Sequence, residues 1–214
     1  MDEKINSTNY RDYVIKDGRF IGEFEEMYKN IEDPWCIADA TEIQYDLALY
    51  LLDRHKICLK SGSILDIGCG KGAFTYRIKK IRPYCDVLGV DISETAIIKA
   101  RNLYQSEGID FRMMDVDKEY RNILRKYDLI ILSQMIWYIL PHFEEIILYL
   151  LKSGLKKNGY LLINQAFYKP DEQTYGKGIL STIEDLIRII GIDPIELIET
   201  NRQMNYNAVA LFKV

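Results

Sequence analysis

The chain reads as an α/β protein: a three-layer α/β/α sandwich on a seven-stranded, mostly parallel sheet, with an N-terminal helical cap. Three observations carry that reading. Apolar strand-like runs alternate with amphipathic stretches from residue 61 onward, the pattern of parallel strands joined by crossover helices. One run, Ser63-Ile64-Leu65-Asp66-Ile67-Gly68-Cys69-Gly70-Lys71-Gly72, ends in an acid and three closely spaced glycines. Finally, 214 residues hold one domain with an appendage and leave no room for a second catalytic domain. Residues 1–60 are expected to form the cap and residues 61–214 the core of the same domain.

Composition narrows the function. With 48% hydrophobic and 28% charged residues the chain has a globular core, and a net charge of −4 without a basic run argues against a general nucleic-acid surface. The acidic start Met1-Asp2-Glu3-Lys4 is unlike a signal peptide, and no stretch reaches the roughly 18 to 20 apolar residues of a membrane span. A cytoplasmic location is therefore expected. Cys36, Cys58, Cys69 and Cys85 lack C-x-x-C spacing and the histidines are His55 and His142, so neither a metal site nor a disulfide framework is expected.

Residues 1 to 18 are polar and expected to be partly mobile without a ligand. Phe20, Ile21, Phe24, Met27 and Tyr28 recur at helical spacing and predict a short core-packed helix. Glu32-Asp33-Pro34-Trp35 breaks it, because the residue before proline disfavours the α region. From Ala40 to about Cys58, Ile43, Leu47, Tyr50 and Leu51 predict a helix packed on the sheet.

The stretch at 63–72 predicts a buried strand, a tight turn and a helix opening, with glycines that admit positive φ and let a ligand approach the backbone. A glycine turn alone is a weak signal, since dinucleotide enzymes use the related G-x-G-x-x-G. Here the spacing is G-x-G-x-G, and Asp66 stands two residues before it, where a carboxylate meets a ligand's cationic end. Phe74 and Ile78 face the sheet from the first core helix. The second strand, Val87 to Ser93, carries Asp91 about twenty residues past the turn, where an acid can pair with both ribose hydroxyls. Ser93 caps the next helix, whose buried face is Ala96, Ile97, Ala100 and Leu103. Ile109 to Val116 is the third strand and its exit, and Tyr127 to Ser133 the fourth. Pro141 opens a helix to about Ser153 with Phe143, Ile146, Ile147 and Leu150 inward. The turn Lys156-Lys157-Asn158-Gly159 then leads into a fifth strand at Tyr160 to Gln165. Ala166 to Gly178 is a loop rich in aromatic and polar groups, Ser181 and Glu184 suggest a capping box, and two closing strands span 194–200 and 207–214.

Taken together, the glycine stretch and the acids at successive strand ends resemble class I S-adenosylmethionine (SAM) dependent methyltransferases, which are Rossmann-like. The N-terminal helix, the Asp-Pro-Trp turn and the helix before the glycine stretch resemble small methyltransferases of the nodulation-protein-S and thiopurine-methyltransferase kind. Carried onto this chain, the resemblance implies a cofactor site of Asp66, Gly68, Cys69, Gly70, Gly72, Asp91, Ile92, Asp115, Val116 and Ser133, with Trp35 over the cofactor. Asp115 would accept from the adenine amino group, and the Val116 N–H would reach a ring nitrogen. Two alternatives stand beside this: Trp35 as a hydrophobic plug, and Asp115 as the cap of a helix around Tyr120 to Leu124. The closing strands resemble the antiparallel pair of such sheets, in which the last strand inserts between its neighbours.

Ser133-Gln134-Met135-Ile136 replaces the Asn/Asp-Pro-Pro-Tyr/Phe sequence of enzymes that methylate nucleic-acid bases, so that chemistry is disfavoured. Methyl transfer is an in-line displacement that depends mainly on positioning, and a hydroxyl or amine acceptor must lose a proton. His142 and Tyr138 are the candidate catalytic residues, with a solvent-facing role as the alternative for His142. Gln134, Trp137, Tyr168 and Tyr175 are the candidate substrate contacts, with Lys169 and Lys177 in the same loop. The resemblance to methyltransferases of capsule and lipopolysaccharide clusters implies a small-molecule acceptor such as a sugar, amino sugar or phosphoramidate group, with S-adenosylhomocysteine (SAH) as product. A non-catalytic SAM-binding subunit and a nicotinamide-dependent oxidoreductase are the competing classes.

Overall fold

The computed structural model describes residues 6–35, 43–58, 60–168, 173, 175–201 and 205–214. The cap contains α1 (Arg11–Val14), a hairpin of β1 (Ile15–Lys16) and β2 (Arg19–Phe20), and α2 (Phe24–Asn30). There follow α3 (Ile43–Arg54), β3 (Gly62–Ile67), α4 (Ala73–Ile81), β4 (Cys85–Asp91), α5 (Glu94–Tyr104), β5 (Ile109–Met113), α6 (Val116–Glu119) and β6 (Tyr127–Ser133). The chain continues through α7 (Phe143–Tyr149), β7 (Leu155–Tyr168), α8 (Ile183–Ile190), β8 (Glu196–Asn201) and β9 (Asn205–Lys213).

Side chains alternate across a strand, and this sorts the core into two layers. Ile64, Leu129, Ile131, Leu162 and Val209 face one side, where α3 and α4 cover them with Ala48, Leu51, Phe74 and Ile78. Leu65, Ile130, Leu132, Leu161 and Phe212 face the other, under Phe143 and Ile146 of α7 and Leu186 of α8. The seven-stranded sheet runs β5-β4-β3-β6-β7-β9-β8. Its first five strands are parallel neighbours, while β9 pairs antiparallel with both β7 and β8. This is the expected Rossmann-like sandwich, with β9 inserted before β8.

Several local expectations are corrected. Residues Tyr10 to Phe20 carry a helix and a hairpin, and Tyr13 and Val14 are buried in the cap. Phe20 and Ile21 therefore lie outside α2 and are partly exposed, because the hairpin ends only at Phe20. In α3 the inward face is Gln44, Tyr45, Ala48, Leu51 and Leu52, and Ile43 and Tyr50 point out. Leu103 is exposed on α5. The Pro141 helix is composite: a 3-10 turn at Leu140–His142, α7, then a wider π turn at Leu150–Gly154. The turn at 156–159 is a bulge inside β7, between residues paired with Tyr127 and Leu129. Strand β7 runs on to Tyr168 because β9 supplies partners for Ala166, Phe167 and Tyr168. The capping box of α8 is formed by Thr182 with Asp185 rather than Ser181 with Glu184. Burial of Ile183, Leu186 and Ile190 sets that frame. Lys169, most of the 169–174 loop and Cys36 lie outside the described residues.

The cap is joined to the core by polar contacts around α5. Glu25 Oε2 accepts from Ser93 Oγ at 2.6 Å and from the Thr95 N–H at 3.1 Å, and Glu25 Oε1 accepts from Thr95 Oγ1 at 2.7 Å. Burial opposes ionisation of Glu25, but these hydrogen bonds outweigh it and bring the carboxyl from 4.5 to about 2. A carboxyl depressed on folding contributes stability above its unfolded value and loses it as pH falls through the folded value. Glu25→Gln is therefore expected to lower the melting temperature at neutral pH, with the gap to wild type closing between 4.5 and about 2. Thermal melts at about pH 7, 4 and 2.5 check this; a gap that ignores pH would remove the Glu25 charge from cap docking.

Candidate active site

Parallel strands bring their carboxyl ends to one edge of the sheet. There the loops after β3, β4, β5 and β6 and the inner wall of the cap enclose a cleft of about 1550 Å³. The glycine turn forms its floor. Gly68 and Cys69 donate their N–H groups to Val90 O, and the Gly70 N–H donates to Asp91 Oδ2 at 2.9 Å. Gly70 has φ of 54°, and a Cβ there would stand 2.7 Å from the Tyr28 hydroxyl. Gly72 serves packing: with φ of 81°, its Cβ would meet the Phe111 ring at 2.7 Å.

Two buried acids flank the turn. Asp66 accepts from Thr75 Oγ1 at 2.6 Å, and burial pushes its carboxyl up to about 7. Asp91 accepts from Gly70 N–H through Oδ2 and from Ser93 N–H at 2.9 Å through Oδ1. Burial raises it too, against the pull of those two donors. Burial likewise keeps the Cys69 thiol protonated. Asp115 stands at the N-cap position of α6 but makes no side-chain cap bond; its carboxylate holds Lys118 Nζ at 2.7 Å.

The structure gathers Asp66, Gly68, Cys69, Gly70, Asp91, Ile92, Asp115, Val116, Ser133 and Trp35 along one cleft, together with Gln134, Trp137, Tyr138, Tyr168 and Tyr175. Two residues stay apart. Gly72 packs beneath the turn, and His142 is an exposed residue whose Nδ1 lies 3.0 Å from Asp117 Oδ1, outside the lining of the cleft. The Pro141 turn leaves the His142 side chain about half exposed, as in its solvent-facing alternative, while its partner Asp117 does line the cleft.

Several side chains have structural duties as well. The Trp137 indole donates to Ala166 O at 2.9 Å, and Gln134 Oε1 accepts from the Ala166 N–H at 3.0 Å, so both tie β6 to β7. Ser133 Oγ accepts from Asn164 Nδ2 at 3.1 Å. Tyr138 is ringed by Phe24, Trp35 and Phe20 at centroid distances of 4.9, 6.1 and 6.4 Å. Its hydroxyl has no hydrogen-bond partner among the described residues, and burial raises its pKa far above the usual phenol range. It holds its proton at neutral pH and can donate a hydrogen bond but not act as a phenolate base.

Sequence spacing treated Tyr28 as core and passed over Glu25 and Lys71. Tyr28 Oη lies over Gly70 and accepts from Trp35 Nε1 at 2.8 Å. Lys71, within the turn, donates to Glu32 O at 2.6 Å.

Residues 59–196 match the family model described as a methyltransferase domain. The chain belongs to this methyltransferase family. The fold is similar to that of the N-methyltransferase NodS of Bradyrhizobium japonicum in complex with SAH. That likeness has a TM-score of 0.67 at 21% identity, over 85% of this chain and 92% of NodS. It is also similar to the magnesium protoporphyrin IX methyltransferase ChlM of Synechocystis with bound SAM, with a TM-score of 0.60 at 18% identity, over 80% of this chain and 78% of ChlM. Among curated proteins, the carboxy-S-adenosyl-L-methionine synthase of Chromohalobacter salexigens is 28% identical over 58% of this chain, and the malonyl-[acyl-carrier protein] O-methyltransferase of Acetivibrio thermocellus 32% identical over 42%. The chain spans only 46% and 31% of those two relatives' lengths.

The methyltransferase family uses SAM, and the site has the chemistry to hold it. A glycine cradle that a Cβ would fill lies between two buried acids, and a third carboxylate stands at the next strand end. Carboxylates suit a ligand with an amino group, ribose hydroxyls and a sulfonium charge. Among the described residues there is no metal-ligating cluster, and no helix is long and apolar enough to cross a membrane.

Asp91→Asn keeps the side-chain size but removes the charge and replaces one of the two oxygens that accept from the Gly70 and Ser93 N–H groups with a donor. Because hydrogen bonds to charged groups contribute about 1.5–3 kcal/mol, SAH affinity measured by calorimetry is expected to fall about 10- to 100-fold. Unchanged affinity would contradict a ribose contact. His142→Ala is expected to leave methyl transfer within about twofold of wild type, checked by a labelled-SAM assay; a loss on the 10²-fold scale of a general base would return His142 to the mechanism.

Proposed function

We propose that the protein transfers the SAM methyl group to oxygen or nitrogen of a small polar acceptor in the cytoplasm. The acceptor in this reading is a bacterial surface-polysaccharide (capsule) precursor carrying a sugar, an amino sugar or a phosphoramidate group. One observation carries the acceptor half: the cleft continues beyond the acid-flanked turn into an aromatic chamber centred on Tyr138, whose hydroxyl has no hydrogen-bond partner among the described residues. A SAM-binding subunit without activity has no use for such a chamber. Aromatic faces cover the C–H faces of a sugar ring while a hydroxyl meets its polar edge.

When bound, SAM supplies a methyl group made electrophilic by its sulfonium sulfur. Asp66 would hold its cationic end, Asp91 its ribose hydroxyls, and Asp115 and the Val116 N–H its adenine, with Ile92 and Ser133 lining the same part of the cleft. Trp35 and Tyr28 close the cleft from the cap and keep water from the reacting atoms. Tyr138 donates from Oη to the acceptor and positions it for in-line attack, and Trp137, Tyr168 and Tyr175 wall the acceptor in.

Purified protein with labelled SAM is expected to methylate at least one member of a panel of nucleotide sugars and capsule precursors, and Tyr138→Phe to raise KM more than it lowers kcat. Transfer only to another metabolite or natural product would replace the acceptor assignment. SAH binding without turnover on any panel would favour a non-catalytic subunit.

A further inference from the structure

Charge is sorted along the cleft. The acids Asp66, Asp91 and Asp115 lie at the turn and the neighbouring strand ends, where a cationic donor belongs. The cations lining the cleft are Arg11, Lys16, Lys71 and Lys118. Three of them face carboxylates: Lys16 with Asp12 at 3.2 Å, Lys71 with Asp33 at 3.7 Å and Lys118 with Asp115 at 2.7 Å. Arg11 forms no ion pair among the described residues. The other acids lining the cleft are Asp12, which faces Lys16, Asp17 at the hairpin turn, Glu32 and Asp33 beside Lys71, and Asp117 beside His142, and none of them pairs with Arg11.

Around Arg11 stand phenols. Its guanidinium carbon is 6.0 Å from the Tyr10 ring centroid, Tyr10 leans on Trp35 at 5.0 Å, and Tyr168 leans on Trp137 at 5.9 Å. A side-chain hydrogen bond from the guanidinium to Tyr10 raises the Arg11 pKa most, with a weaker contribution from Tyr168. Tyr10, Arg11, Tyr138 and Tyr168 all line the cleft, and Trp35 bridges Tyr10 at 5.0 Å and Tyr138 at 6.1 Å. The hydroxyls of Tyr138 and Tyr168 make no hydrogen bond to any described residue.

A guanidinium that forms no ion pair among the described residues and stands beside phenol hydroxyls can receive an oxyanion, since its fork matches phosphate and carboxylate geometry. We propose that the acceptor bears an oxyanion, held at the mouth of the cleft by Arg11 with the hydroxyls of Tyr10 and Tyr168, while its methyl-accepting atom lies beside Tyr138. This rests on the reading of the cleft as an acceptor site and narrows the acceptor to anionic ones.

The chain has two tryptophans, Trp35 and Trp137, and both line the cleft, so intrinsic fluorescence reports on it. The full chain, with and without SAH, is titrated with matched probes: glucose 1-phosphate against glucose, galacturonate against galactose, and inorganic phosphate alone. In at least one pair the anion is expected to bind about tenfold or more tightly than its neutral partner, and the pair that responds tells phosphate from carboxylate. Arg11→Gln is expected to abolish that preference, Arg11→Lys to keep part of it, and both to leave SAH affinity unchanged. Absence of an anion preference in every pair, failure of all probes to bind included, would overturn the proposal. So would a preference that survives in Arg11→Gln. Calorimetry with SAH is read separately: failure of wild type to bind SAH would strike the methyl-transfer reading, while the anion preference is still scored without SAH.

Discussion

The Asp91 carboxylate is the constraint on which the site depends. Burying a carboxylate costs several kcal/mol unless its oxygens are bonded, and both oxygens of Asp91 are engaged by backbone N–H groups on opposite sides of the cleft floor, Gly70 and Ser93. The bond to Gly70 fixes the glycine turn, and the bond to Ser93 fixes the start of α5. Ser93 in turn caps α5 through the Ala96 N–H and donates to Glu25, which brings the cap down onto the core. Turn, helix and cap are linked through a single side chain, although their residues are far apart in sequence.

Around that link the cleft divides by chemistry. Its inner half is lined by carboxylates and backbone donors, suited to a polar, partly cationic cofactor. Its outer half is lined by rings with few polar atoms; the indoles of Trp35 and Trp137 are already hydrogen-bonded, while the hydroxyl of Tyr138 at its centre has no partner among the described residues. The inner half is held rigidly by the sheet, whereas the outer half is built from a short hairpin, a loop and the end of β7. This fits a family in which the donor is constant and the acceptor varies.

The sandwich was legible because buried parallel strands are continuous apolar runs, and because the acids at the ends of β3, β4 and β5 follow the glycine turn at a readable spacing. What depended on distant partners was hidden. Tyr28 looked like any core tyrosine, because nothing near it in sequence tells of Gly70. Glu25 looked like a solvated acid, because its partners Ser93 and Thr95 come about seventy residues later. Strand β7 outran its apolar segment because β9 offered partners to residues that read as loop. In α3 the apolar pattern favoured Tyr50, yet Gln44 is the buried residue, since aromatic residues on both faces left the inward face ambiguous. His142 has the chemistry of a base, but its exposure beside Asp117 follows from the Pro141 turn, which nothing in its sequence neighbours foretells.

The position of β9 has a consequence for how the chain acquires its fold. It follows β8 in sequence but lies inside the sheet, hydrogen-bonded on both edges, with β7 on one side and β8 on the other. Until β9 is in place, β8 has no sheet partner and one edge of β7 stands open. The acceptor-side end of β7, Ala166 to Tyr168, is then unpaired as well. Late, long-range pairing of this kind is slow and leaves a strand edge exposed to other chains. The wall formed by Ala166 to Tyr168 is thus completed only by pairing with β9, whereas β3 and β4, which carry the glycine turn and Asp91, pair without it.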